Sequence, residues 1–167
     1  MDAKLTLRAA AAGDLAAIMA IERTRGFKRW VGRSSAEEHR AMMDDANYAY
    51  LVGEAETEVV AFAILRDLDD PHGNLYLKRV AVARPDHGVG GAFLERVVDW
   101  AFDRVAAHRF WLDCFSHNAR AQRVYEKLGF TRDGVLREAY LGADGVRRDL
   151  TMMALTRPQW AERAARR

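Results

Sequence analysis

Val80-Ala-Val-Ala-Arg-Pro-Asp-His-Gly-Val-Gly-Gly-Ala-Phe-Leu94 reads as the end of a strand, a tight glycine loop and the start of a helix. The apolar stripe Phe93/Leu94, Val97/Val98, Ala101/Phe102 and Val105 recurs at helical spacing and carries that helix onward from about Gly90 to Arg104. A strand running into Gly88, Gly90 and Gly91 gathers several backbone N–H groups of the first helical turn around one small volume. Glycines there let the backbone approach an oxygen-rich ligand closely, and the helix N-terminus adds about half a positive charge. The stretch is therefore an anion site suited to a phosphate or pyrophosphate.

Outward from this loop the chain alternates between two periods. Upstream, Leu5 and Leu7 mark a short strand, Asp14 stands as N-cap before Leu15, Ile18 and Met19, and Ser34/Glu37 or Ser35/Glu38 has capping-box spacing before a helix through Met43. Between those helices lies Arg25-Gly-Phe-Lys-Arg-Trp-Val-Gly-Arg33, a basic, aromatic loop that either touches a substrate or is a solvated connection with Phe27 and Trp30 tucked into the core. Tyr48–Val52 and Val59–Leu65 read as an antiparallel hairpin, and Leu75–Val82 follows as the strand that enters the glycine loop. Downstream come a buried strand over Phe110–Phe115, a helix over Asn118–Leu128 closed by Gly129, a hairpin of Val135–Leu141 and Val146–Leu155, and a polar tail opened by Pro158.

The order is thus βααβββαβαββ, a mixed α/β sheet with helices on both faces and one parallel strand pair, formed by the crossover from Leu75 to Phe115. Such sheets bind ligands where neighbouring strands leave a gap at their carboxyl ends, which is where the glycine loop lies. The chain has 167 residues, half of them apolar, and reads as one domain with its core over residues 5–155 and a tail over 156–167. A net charge of +2 does not imply nucleic-acid binding. The single cysteine, Cys114, excludes an internal disulfide and fits a cytoplasmic location. The five histidines show no metal-ligand spacing, so no metal is expected, and no apolar run is long enough to span a membrane.

Two registered motifs resemble the GNAT N-acetyltransferase superfamily over nearly the whole chain, most strongly from Leu75 to Phe130. His87-Gly-Val-Gly-Gly-Ala92 has the family's glycine spacing, with His87 in place of the usual Gln or Arg, and Asn118-Ala-Arg-Ala-Gln-Arg-Val-Tyr-Glu-Lys-Leu-Gly-Phe130 matches its Asn-x-x-Ala-x-x-x-Tyr-x-x-x-Gly-Phe block. The resemblance implies the acyl-CoA N-acyltransferase fold and acetyl-CoA as cofactor. It places the pyrophosphate on backbone groups of Gly88, Val89, Gly90, Gly91 and Ala92, and the pantetheine arm along Val80, Ala81 and Val82, with Asn118 as a polar contact as well as a helix N-cap. His87 is either a phosphate contact or a solvated loop residue.

Acetyl transfer to an amine needs a proton acceptor, a donor to the thioester oxygen and an acid for the departing thiolate. By family position Tyr125 is the acid, against a reading in which it is only core. Asp113, a carboxylate inside the apolar run Phe110–Phe115, resembles the family's catalytic carboxylate, against a structural role satisfied by backbone or an arginine. The oxyanion donor is expected to be the N–H of Val82, and Cys114, alternating away from Asp113, a small core residue. Acceptor contacts are assigned to Arg25, Phe27, Arg29 and Trp30, with the Tyr48 region and the last hairpin. The acceptor is a small or amino-acid-like amine, or alternatively a peptide N-terminus as in the ribosomal-protein acetyltransferase branch. A non-catalytic CoA-binding module is the reading from a different class, and a homodimer through the apolar strand Leu150–Leu155 is plausible.

Overall fold

The run Val59-Val-Ala-Phe-Ala-Ile-Leu65 is apolar at every position because both faces of its strand are covered. Ala61, Ala63 and Leu65 face one helical layer, and Phe62 and Ile64 face the other. The computed structural model describes residues 5–24, 32–85 and 88–167. Seven strands make one sheet: β1 (Thr6–Ala9), β2 (Tyr48–Ala55), β3 (Glu58–Arg66), β4 (Asn74–Val82), β5 (Arg109–Phe115), β6 (Thr131–Leu141) and β7 (Arg147–Thr156), in the spatial order β1-β2-β3-β4-β5-β7-β6. All neighbours run antiparallel except β4 and β5, as expected from the crossover.

Helices α1 (Leu15–Glu22) and α2 (Ala36–Asp44) lie on one face, where Ile18, Ile21, Met42 and Met43 meet Tyr50, Val52, Phe62 and Ile64. Helix α3 (Val89–Asp103) lies on the other and buries Phe93, Leu94, Val97, Val98 and Phe102, each such side chain contributing about 1.5–3 kcal/mol. The close seating of α3 requires Gly53 on β2, where a Cβ would stand 2.7 Å from the Phe93 ring. Helix α4 (Ala119–Lys127) shares this face through Tyr125 and Leu128.

Three expectations are corrected. Residues 156–167 are not a tail: Thr156 ends β7, and its capping box with Gln159 starts helix α5 (Arg157–Ala164) with Pro158 in its first turn. Trp160 of α5 stacks on Phe102 at 5.2 Å and donates to Asp99 at 2.8 Å, while Arg157 donates to the carbonyls of Phe102 and Ala107, which holds α5 to α3. Asp14 precedes α1 but its carboxylate does not cap it; it accepts from Arg8 at 2.7 Å and from the N–H of Ala11 at 2.7 Å, within a 3-10 turn over Ala12–Asp14. Finally, Leu150–Leu155 lies in β7, an interior strand between β5 and β6, so its edge is not available for a dimer.

Candidate active site

Strands β4 and β5 separate almost as soon as they meet. Their parallel pairing covers Asn74–Arg109, Leu75–Phe110 and Tyr76–Trp111 and then stops, leaving the carboxyl halves splayed. On β4, the N–H of Ala83 donates to the carbonyl of Val60 at 2.8 Å. Backbone groups of successive strand residues point to opposite sides, so those of Val82 and Val80 point away from β3 into the gap. A bulge sits just upstream: Leu77 pairs with Leu65 and Arg79 with Ile64, which leaves Lys78 as the extra residue. It shifts the side-chain parity, so that Leu75 and Leu77 before it and Val80 and Val82 after it face the same α3 layer.

Two spaces open on this gap. On the α3 side, a cleft of about 510 Å³ runs from Gly88, Gly90 and Gly91 past Val82 to Asn118 and Tyr125. Gly88 takes φ +75° as the residue before α3, a conformation that glycine adopts without strain, and a Cβ at Gly88 or Gly91 would meet nothing within 4 Å. Of the other loop positions assigned above, Val89 and Ala92 do not border the cleft, and the Ala92 N–H already donates to the carbonyl of Gly88 at 3.4 Å. Ala81 packs its side chain with the α1 layer. Asn118 accepts from the N–H of Ala121 at 3.1 Å, as an N-cap does, and its amide nitrogen remains for the cleft. Arg120, not singled out from the sequence, also borders it.

The second space, about 230 Å³, passes through the splay and is bounded by Lys78 and Arg79 of β4, Asp113 and Phe115 of β5, and Tyr140 of β6. Val80, Asn118, Ala121 and Tyr125 line both spaces, which are therefore neighbours. Tyr125 is 9% exposed; burial, with Cys114 and Asp113 adding, pushes its phenol well above the usual range, so the proton stays on at neutral pH. Asp113 accepts from the Tyr76 hydroxyl at 2.9 Å through Oδ2, and Tyr76 is fixed by stacking on Trp111 at 4.3 Å. The structure thus brings Tyr125 and Asp113 to one cavity. Burial pushes the Cys114 thiol up to about 11, so it stays protonated, and the side chain packs toward the α3 core.

Behind the cavity wall lies a buried polar chain. Glu22, with no exposed surface, accepts from Arg79 at 2.5 Å and faces His39 Nε2 at 2.9 Å, and His39 Nδ1 meets the Tyr50 hydroxyl at 2.8 Å. Arg79 also donates to Ser34 Oγ at 3.2 Å and Arg23 to the Ser34 carbonyl at 2.8 Å. Nothing in the sequence marked Glu22, His39 and Arg79 as partners, since they lie on three separate elements. Tyr140 reaches the cavity by packing edge-on against Phe115 at 4.9 Å, as expected of the last hairpin, whereas Tyr48 packs in the α1 layer. Arg25, Phe27, Arg29, Trp30 and His87 lie outside the described residues.

Residues 15–130 match the acetyltransferase (GNAT) family model. The chain belongs to that family. Over 98% of its length it is 22% identical to the spermidine N(1)-acetyltransferase of Vibrio cholerae, 99% of which is covered. A 101-residue stretch, 59% of the chain and 64% of the relative, is 37% identical to the ribosomal protein bS18 alanine N-acetyltransferase of Escherichia coli K12. The solved structure of the Vibrio cholerae spermidine N-acetyltransferase in complex with CoA and spermine superposes with a TM-score of 0.81 at 20% identity, covering 94% of this chain and 98% of that one. The GNAT chain described here is an N-acetyltransferase, and its cofactor is acetyl-CoA. The open glycine cradle, the inward-facing backbone of Val80 and Val82 and the Asn118 amide fit that group chemically. Among the described residues no group of metal-ligating side chains is found and no helix is long and apolar enough to cross a membrane.

Proposed function

We propose that the chain acetylates a small primary amine held in the cavity beside Asp113, with the cofactor in the α3-side cleft and the two reactants meeting at Tyr125. The observation that carries this reading is the sharing of Val80, Asn118, Ala121 and Tyr125 by both spaces across the β4–β5 gap. Backbone N–H groups at Gly88, Gly90 and Gly91 hold the pyrophosphate, and the edge of β4 from Val80 to Val82 holds the pantetheine arm. Acetyl-CoA, when bound, supplies a thioester carbonyl and a thiolate leaving group.

The chain's own groups supply the proton traffic. Asp113, with one carboxylate oxygen taken by Tyr76, uses the other to accept the ammonium proton, directly or through one water. The N–H of Val82, turned into the gap, is the donor for the carbonyl oxygen. Tyr125 holds its phenolic proton through neutral pH and is placed to release it toward the sulfur.

A peptide N-terminus is the second reading, supported by the 37% identity to a ribosomal-protein acetyltransferase. The cytoplasm is the proposed location. A homodimer, if formed, would use the edge strand β6, with Leu136 and Leu141 about half exposed, rather than β7. Thiol release from acetyl-CoA with a panel of small amines and short peptides tests the assignment. Turnover with small amines is expected; turnover with peptides alone transfers the acceptor to the second reading, and none with either overturns both acceptor assignments.

A further inference from the structure

The acceptor cavity has an unusual charge arrangement. Among the described residues its wall carries three charged side chains, Lys78, Arg79 and Asp113. Arg79 is neutralised from behind by the buried carboxylate of Glu22 at 2.5 Å. Lys78, by contrast, makes no hydrogen bond or ion pair among the described residues. The β4 bulge brings it there, because the extra residue lets two successive side chains, Lys78 and Arg79, border one space.

An ammonium that is partly withdrawn from water and lacks a counter-ion is a binding group for an anion. Burial, and then the charges of Arg79 and Arg66, lower the Lys78 pKa below its ordinary value, with Asp113 acting the other way. Among the described residues Asp113 is the one carboxylate on the wall, so the cavity offers one negative group and one positive group that is in no ion pair. That pair complements a molecule with an amine and an acid close together. A polyamine needs the opposite, a second carboxylate for its second ammonium, and the described residues of the wall supply none. At about 230 Å³ the space lies below the ~300–1,000 Å³ of pockets for drug-sized ligands, so the acceptor is small.

We propose that Lys78 is a specificity-determining residue that binds a carboxylate on the acceptor, so that this acetyltransferase favours amino-acid-type amines over polyamines despite its full-length likeness to a spermidine acetyltransferase. The inference rests on the acceptor cavity assigned under the proposed function.

The test compares matched acceptors by initial rates of thiol release from acetyl-CoA. Each of a set of amino acids, methionine and phenylalanine among them, is paired with the amine left when its carboxylate is removed, and spermidine is added. Wild type is expected to show a higher kcat/KM, per neutral amine, for the amino acid of at least one pair, and little turnover of spermidine. Lys78→Met should lower the ratio within that pair by about tenfold to a hundredfold, chiefly through KM of the amino acid, the range of one charge-assisted contact. Lys78→Arg, which keeps the charge, should restore most of the ratio and shows that the loss in Lys78→Met is not misfolding. A wild-type preference for spermidine or for the decarboxylated amines, or a ratio unmoved by Lys78→Met, overturns the inference while leaving the acetyltransferase site intact. Thiol release with none of these acceptors overturns both.

Discussion

Strands β2 and β3 are paired over eight positions, whereas β4 and β5 are paired over three. In the first pair the strands stay together along their length, both faces are covered, and the Glu56–Thr57 turn closes the hairpin with φ of 50° and 71°. In the second pair the carboxyl halves of two strands are held apart, and the backbone of Val80 and Val82 is left for a ligand to satisfy. Buried charge follows the same division. On the closed side Glu22, His39, Tyr50 and Arg79 satisfy one another; at the splay Lys78 and Tyr125 lack such partners among the described residues, and Asp113 keeps one oxygen for the cavity. Groups paired with each other stabilise the fold, and groups left to face a cavity are the ones proposed to act on a ligand.

The sharpest way to break this division is at Asp113. Asp113→Asn should lower kcat by about a hundredfold to ten-thousandfold, with KM for acetyl-CoA little changed. Wild-type kcat in Asp113→Asn would assign Asp113 to structure. On the closed side, Glu22→Ala leaves Arg79 and His39 without their carboxylate and should cost about 3–5 kcal/mol of stability in denaturant titration. An unchanged midpoint would place the buried chain outside the stabilising half. Smaller is the effect of Gly91→Asp, which adds a carboxylate where there is open space. It should raise KM for acetyl-CoA roughly tenfold, equal to ~1.4 kcal/mol, with no loss of thermal stability because an acid suits the first helical turn. Smallest is Cys114: its thiol stays neutral below about 11, so iodoacetamide at pH 8 should leave activity untouched and react faster only as pH approaches that value. Rapid inactivation at pH 8 would reveal a thiolate the cavity does not support.

Much of the splay was legible from residues. Glycine spacing, the Asn118 cap, Tyr125 and the lone carboxylate at Asp113 are local signals, and each lies within a few residues of the feature it specifies. The Ser35–Glu38 capping box was equally readable and holds in the structure. What escaped is non-local. No sequence pattern announces the bulge at Lys78, because it is set by how β4 registers on β3. Glu22 follows the apolar run of α1, and only the fold shows that His39 and Arg79 arrive from elsewhere to neutralise it. From its residues the α5 segment reads as a polar tail, although Thr156-Arg-Pro-Gln159 carries a capping box with proline in the first turn; the polar composition conceals that Arg157 and Trp160 anchor it at Phe102.

The central claim is that cofactor and acceptor meet at the Tyr125 hydroxyl across the β4–β5 gap. Steady-state kinetics of Tyr125→Phe test it most directly, since the change removes one oxygen and keeps the buried ring. The account predicts kcat lower by at least about a hundredfold with KM for acetyl-CoA within about threefold of wild type. Wild-type turnover in Tyr125→Phe would contradict it and return Tyr125 to the core.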